Sequence, residues 1–149
     1  MKRFSFRLQK VLDLREAVER KKLGEFGSEQ KKLEHEKDKL GLFCREEEIH
    51  VQAVRAEQVQ PFRIWTQKAN HQYLRRIERV IEFQEGQVQT QTRAVVSARL
   101  NYIEARRDTK TIEQLRTKKI QEWTIESSRE EDKMLDEFAG RMHSGGKEC

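Results

Sequence analysis

From Leu74 onward the chain returns to an inward position in steps of three and four residues: Leu74, Ile77, Ile81, Gln84, Val88, Gln91, Val95, Ala98, Tyr102, Ala105, Thr109, Ile112, Arg116, Lys119 and Trp123. That is a heptad seam sustained over seven repeats, and a seam of this kind needs a partner helix. The upstream half supplies one. Phe6, Leu8, Val11, Leu12 and Val18 open an apolar stripe that resumes as Leu23, Phe26, Gln30, Leu33, Lys37, Leu40, Cys44, Glu47, Val51 and Val54. Between Val18 and Leu23 the phase slips by about one residue, in the manner of a coiled-coil stutter. Pro61 is the only proline of the chain. It disfavours helical geometry in the residue before it and is tolerated at a helix start, so it marks the turn. The pattern predicts an all-α fold of two long helices forming an antiparallel coiled-coil hairpin. A first helix spans about residues 5–58, a turn about 59–62 and a second helix about 62–140, with a disordered tail at 143–149; all 149 residues make one domain. The second helix is the longer and overhangs the first, and its unpaired end carries Met134, Leu135, Phe138 and Met142, an apolar patch of the sort that marks an interface.

Composition narrows the picture. Charged residues make up 38% of the chain and hydrophobic ones 35%, and no run alternates like a strand, so only one stripe per helix is available for burial. Gly24, Gly27 and Gly41 lie inside the first helix, where each costs about 1 kcal/mol relative to alanine. The expected stability is low. The net charge of +5 is unevenly spread. Through Gln60 there are 14 basic and 12 acidic residues, interleaved; Phe62 to Lys119 holds 13 basic and 6 acidic; Ile120 to Glu137 holds 2 basic and 7 acidic. The second helix therefore has a basic shaft and an acidic end.

Catalytic chemistry is not expected. His35, His50, His71 and His143 are scattered, and Glu47 with His50 lacks the second Glu-x-x-His pair that a di-iron bundle requires. No glycine-rich phosphate loop, nucleophile set, metal ligand set or cofactor motif is present, so neither an enzyme nor a cofactor protein is expected. Cys44 and Cys149 do not form a disulfide framework, no signal peptide opens the chain, and no apolar run approaches the roughly 20 residues of a membrane-spanning helix. The expectation is a cytoplasmic protein that reaches a membrane only through partners. A self-associating scaffold is one alternative. A basic helical arm for nucleic acid, built on Arg99, Arg106, Arg107, Lys110, Arg116, Lys118 and Lys119, is another, although no stacking platform accompanies the charge.

Phe4, Phe6, Arg7, Leu8, Gln9, Val11, Leu12, Leu14 and Arg15 read as F-x-F-R-L-Q-x-V-L-x-L-R, and the chain closes with Asp132, Lys133, Asp136, Glu137, Phe138, Ala139 and Arg141. This opening and closing, at this separation, resemble the FliJ family of flagellar export proteins. The resemblance implies a stalk-like coiled coil that works with the hexameric export ATPase of the type III secretion apparatus, the export-gate membrane protein and substrate chaperones, at the inner face of the cell membrane at the flagellar base. It implies a gate contact early in the second helix, at positions matching Tyr73, Ile77, Val80 and Gln84, the last standing where a histidine is expected. The ATPase contact then falls to the chain ends, with Phe4, Phe6, Leu8, Val11, Leu12, Leu135, Phe138 and Met142. The expected state in isolation is a monomer.

Overall fold

The computed structural model describes residues 3–57 and 63–144, the side chains of 142–144 excepted. Two helices account for almost all of it: α1, Gln9–Glu57, of 49 residues, and α2, Ile64–Ser144, of 81 residues. At 1.5 Å per residue they measure about 73 and 120 Å. The expected turn with Pro61, and residues 145–149 of the expected tail, lie outside the described residues; His143 and Ser144 still belong to α2. By its contacts the chain divides into two compact units, Arg20–Ile103 and Met1–Glu19 with Glu104–Cys149. The division cuts α1 within the stretch where the hydrophobic phase slips.

In the unit Arg20–Ile103 the helices run antiparallel. Tyr73 meets Glu46, Gln84 meets Glu36, Gln91 meets Glu29 and Tyr102 stacks on Phe26, so partners on α1 descend as those on α2 rise. The last pair has ring centroids 6.4 Å apart and planes 3° from parallel. The seam positions of α2, Leu74, Ile77, Ile81, Gln84, Val88, Gln91, Val95, Ala98 and Tyr102, are all buried or half-buried. On α1 the inward row is Phe26, Glu29, Leu33, Glu36, Leu40, Phe43, Glu47, His50 and Val54, with Val51 beside His50. Leu23, Gln30, Lys37 and Cys44, expected inside, are exposed. At every second step the helix turns the preceding residue inward, and in two of these steps that residue is a glutamate.

The glutamates are there because α2 presents amides to them. Gln84 Nε2 donates to the Glu36 backbone carbonyl at 3.0 Å and to its Oε2 at 2.6 Å, while Lys39 Nζ holds the other carboxylate oxygen at 3.0 Å. One heptad away the set repeats: Gln91 Nε2 donates to the Glu29 carbonyl at 3.2 Å and to Oε2 at 2.5 Å, and Lys32 sits on Oε1 at 2.6 Å. Gln84 is 6% exposed. A buried amide is tolerable only because its donors are used.

In the unit formed by the two chain ends, residues 3–8 meet α2 outside any helix, 3–6 without regular structure and Arg7 and Leu8 in a turn. Phe4, Phe6 and Leu8 are half-buried while Arg3, Ser5 and Arg7 are exposed, an alternation of period two. The Gln9 amide then donates to the Phe6 carbonyl at 3.0 Å and α1 begins. Phe4 packs edge-on against Trp123, ring centroids 6.0 Å apart. Arg15 pairs with Asp108 at 2.7 Å. Leu12 and Thr109 are each 3% exposed, the threonine hydroxyl donating to the Ala105 carbonyl at 3.1 Å. Arg116 and Lys119, extrapolated as seam residues, are exposed, and Ile120 turns inward before Trp123. From Thr124 to Arg141 only Ser127 is less than exposed, so α2 overhangs as expected.

Among the described residues Leu12 and Ile77 alone are buried hydrophobic residues, so the polar layers carry an unusual share of the specificity. Gln84→Ala should cost about 1–3 kcal/mol by stranding buried groups of the Glu36 layer, read by thermal or urea unfolding. The Glu36 carboxyl is held below its ordinary 4.5 by the amide of Gln84 and then by Lys39, and that of Glu29 by Lys32 and then by Gln91. A lowered folded-state value stabilises the fold above the unfolded value, and that contribution disappears as pH falls through 4.5 and then through the lower folded value. The double variant Glu29→Gln, Glu36→Gln should therefore lose stability at neutral pH and show a shallower acid limb. The glycines offer the reverse case: a Cβ at Gly41 or Gly86 meets nothing within 4 Å, so alanine at either should stabilise by about 0.5–1 kcal/mol.

Candidate functional site

Two surfaces emerge, each within one unit. The first surrounds Tyr73, Ile77, Val80 and Gln84. Ile77, 6% exposed, and Gln84 face α1 and belong to the seam. Tyr73 is half-buried: its ring lies on that of His50, centroids 4.2 Å apart and planes at 47°, and its hydroxyl donates to a Glu46 carboxylate oxygen. That hydrogen bond, followed by partial burial and the carboxylate charge, raises the phenol above its ordinary 10.0. The His50 Nε2 atom beneath it is buried without a hydrogen-bond partner. Val80, at 36% exposure, is the one member of the four presented to solvent. Glutamine stands where the resemblance leads to a histidine because a carboxamide can donate to both the carbonyl and the carboxylate of Glu36.

Trp65 and Phe83 were not singled out from the sequence, yet they are 82% and 68% exposed on α2. The signal that finds them is the same three-four spacing, followed on the outward side: Trp65, Lys68, Gln72, Arg75 and Arg76, Arg79, Phe83.

The second surface is formed by the chain ends. Phe4, Phe6 and Leu8 line a cleft of about 820 Å³ together with Leu115 and Trp123, rimmed by Arg3, Arg7, Lys119, Glu122 and Glu126. The Glu122 carboxyl is held low by the ammonium of Lys119 at 2.6 Å. Val11 is 39% exposed beside the buried Leu12. Leu135 and Phe138, at 67% and 68% exposure, share a face with Met134 on the overhang. Leu135 lies 12 residues past Trp123, about 18 Å along the helix, so the non-helical opening and the overhang are two adjoining surfaces of the unit and are not merged into one patch. The side chain of Met142 lies outside the described residues.

Among the described residues no group of three or more histidines, cysteines or acids could hold a metal ion, and no helix is long and apolar enough to cross a membrane. What the architecture defines is a protein of the helical-hairpin class, two antiparallel helices joined through a partly polar seam. The family profile described as flagellar FliJ protein matches residues 4–148, nearly the whole chain, and the chain belongs to that family. Membership implies a component of the flagellar export apparatus. No curated protein and no solved structure matches it.

The different burial of Ile77 and Val80 has a measurable consequence. Ile77→Ala should cost about 2–5 kcal/mol in thermal unfolding, as a core truncation does. Val80→Asp should stay within about 0.5 kcal/mol of the parent, as an exposed substitution does. Partner-binding defects caused by Ile77→Ala alone would thus report folding, whereas those of Val80→Asp report a surface.

Proposed function

We propose that the chain is a non-enzymatic, stalk-like element of the flagellar export apparatus, which engages the hexameric export ATPase through the unit formed by its two ends and couples it to the export-gate membrane protein and to substrate chaperones. Its place is the inner face of the cell membrane at the flagellar base. The observation that carries this reading is the construction of the end unit. Phe4 of the non-helical aromatic opening packs on Trp123, and α2 runs on beyond it with Met134, Leu135 and Phe138 on solvent. Apolar side chains left uncovered on a projecting helix fit a groove in a larger assembly. Family membership supports the flagellar export apparatus as that assembly.

The gate contact is proposed at the edge of α2 marked by Val80. Tyr73, Ile77 and Gln84 act there from beneath, by fixing the register in which α2 presents that edge. Coupling is mechanical and electrostatic: a helix pair held in register transmits a displacement applied at one surface to the side chains along it, and no bond is made or broken.

Leu135→Asp with Phe138→Asp should weaken binding to the purified export ATPase by at least about tenfold, the loss of roughly 1.4 kcal/mol or more, with helicity by circular dichroism unchanged. Unaltered affinity in a folded double variant would remove the end unit from the ATPase contact.

A further inference from the structure

One face of α2 is left unused by the seam and by the surfaces assigned above. Trp65, Lys68, Gln72, Arg75, Arg76, Arg79 and Phe83 follow one another at three-four spacing on the side of the helix turned away from Ile77 and Gln84, and every one of them is exposed. The face runs over 19 residues, about 27 Å from Trp65 to Phe83. Its two ends are aromatic, its middle is cationic, and no acid stands in the row; Glu78 and Glu82 sit on its flank, as does His71, which accepts from Arg75 Nε at 3.0 Å. Lys68, Arg75, Arg76 and Arg79 form no ion pair with any acid of the chain among the described residues. Elsewhere the chain pairs its cations readily, as at Lys22 with Glu25, Lys32 with Glu29 and Lys39 with Glu36.

We propose that this face docks directly on an anionic lipid surface, with α2 lying along it. Four unneutralised cations in a line attract a negatively charged leaflet, and Trp and Phe are side chains that settle at the boundary between headgroups and acyl chains. A peptide helix as occupant would require an apolar groove between two elements. Here a single helix face has a polar middle and no second wall, which suits a plane of anionic headgroups. The helix cannot cross the bilayer, so the contact is peripheral. The inference goes beyond the proposed partner contacts and adds a direct contact to the membrane proximity expected through partners.

The test uses the full chain and vesicles of equimolar phosphatidylglycerol and phosphatidylcholine, with pure phosphatidylcholine vesicles as the comparison. The chain should sediment with the anionic vesicles at about 50 mM salt, bind at least about tenfold less at about 500 mM, and ignore the zwitterionic ones. The triple variant Arg75→Glu, Arg76→Glu, Arg79→Glu should lose binding by about tenfold or more with helicity retained, and the corresponding triple lysine variant should keep it. In a Trp123→Phe background, where Trp65 is the sole tryptophan, its emission should shift to the blue on binding. Absence of binding, undiminished binding by the glutamate variant, an unshifted Trp65, or binding to single-stranded RNA with no binding to anionic vesicles would each overturn the proposal.

Discussion

Two polar layers one heptad apart determine how α1 and α2 can be aligned. Each is an amide on α2 that donates at once to a backbone carbonyl and to the carboxylate of the same glutamate on α1, and each carboxylate is closed on its other side by a lysine three residues on. A seam of leucines and valines alone would gain nearly the same area at several registers. Sliding by a half-heptad here would set Glu29 and Glu36 against apolar neighbours such as Val88 and Ile81 and leave Gln84 and Gln91 without acceptors. Stranding a charged or amide group costs more than the net gain from one hydrogen bond, so these layers act by excluding alternatives more than by adding stability. They also explain how a chain with 35% hydrophobic residues specifies a hairpin with only two buried hydrophobic side chains among those described.

That interaction also explains which parts of the fold could be read from the sequence. The inward face of α2 was legible from Leu74 through Ile112, because β-branched, small and aromatic residues mark it and its two glutamines fall on the beat. On α1 the same procedure, which seeks an apolar residue and accepts any residue at the next beat, took Gln30, Lys37 and Cys44. The helix places Glu29, Glu36 and Phe43 inside instead. A glutamate becomes an inward residue only when the facing position is known to be an amide, and that pairing is a property of two segments separated by 48 or 62 residues. The opening is ambiguous for another reason. Phe4, Phe6 and Leu8 alternate with Arg3, Ser5 and Arg7 with period two, while Phe6, Leu8, Val11 and Leu12 also fit a helix.

Of the candidate site, the chain-end surface was the more legible, since an apolar face on a helix that outruns its partner needs no knowledge of contacts. The four positions near Tyr73 were not separable from the seam by pattern. Val80 and Ile77 differ by three residues and by a sixfold difference in exposure, 36% against 6%. Periodicity with a tolerance of one residue cannot resolve that difference, and the structure resolves it by where α1 lies.

The half-buried Tyr73 is held by the facing helix. Its hydroxyl is committed to Glu46 and its ring to His50, both on α1, so it belongs to the contact between the helices. A partner that took the phenol as a hydrogen-bond donor would have to displace Glu46, leaving a carboxylate to find water and exposing His50, whose Nε2 atom already lacks a partner. Such an exchange would loosen the seam around Tyr73. A partner that packs on Val80 leaves the hydrogen bond intact and receives a surface whose position is set by the polar layers below. The second arrangement costs less, and under the proposed gate contact the register of the seam, and not the chemistry of the tyrosine, would be the quantity a partner senses.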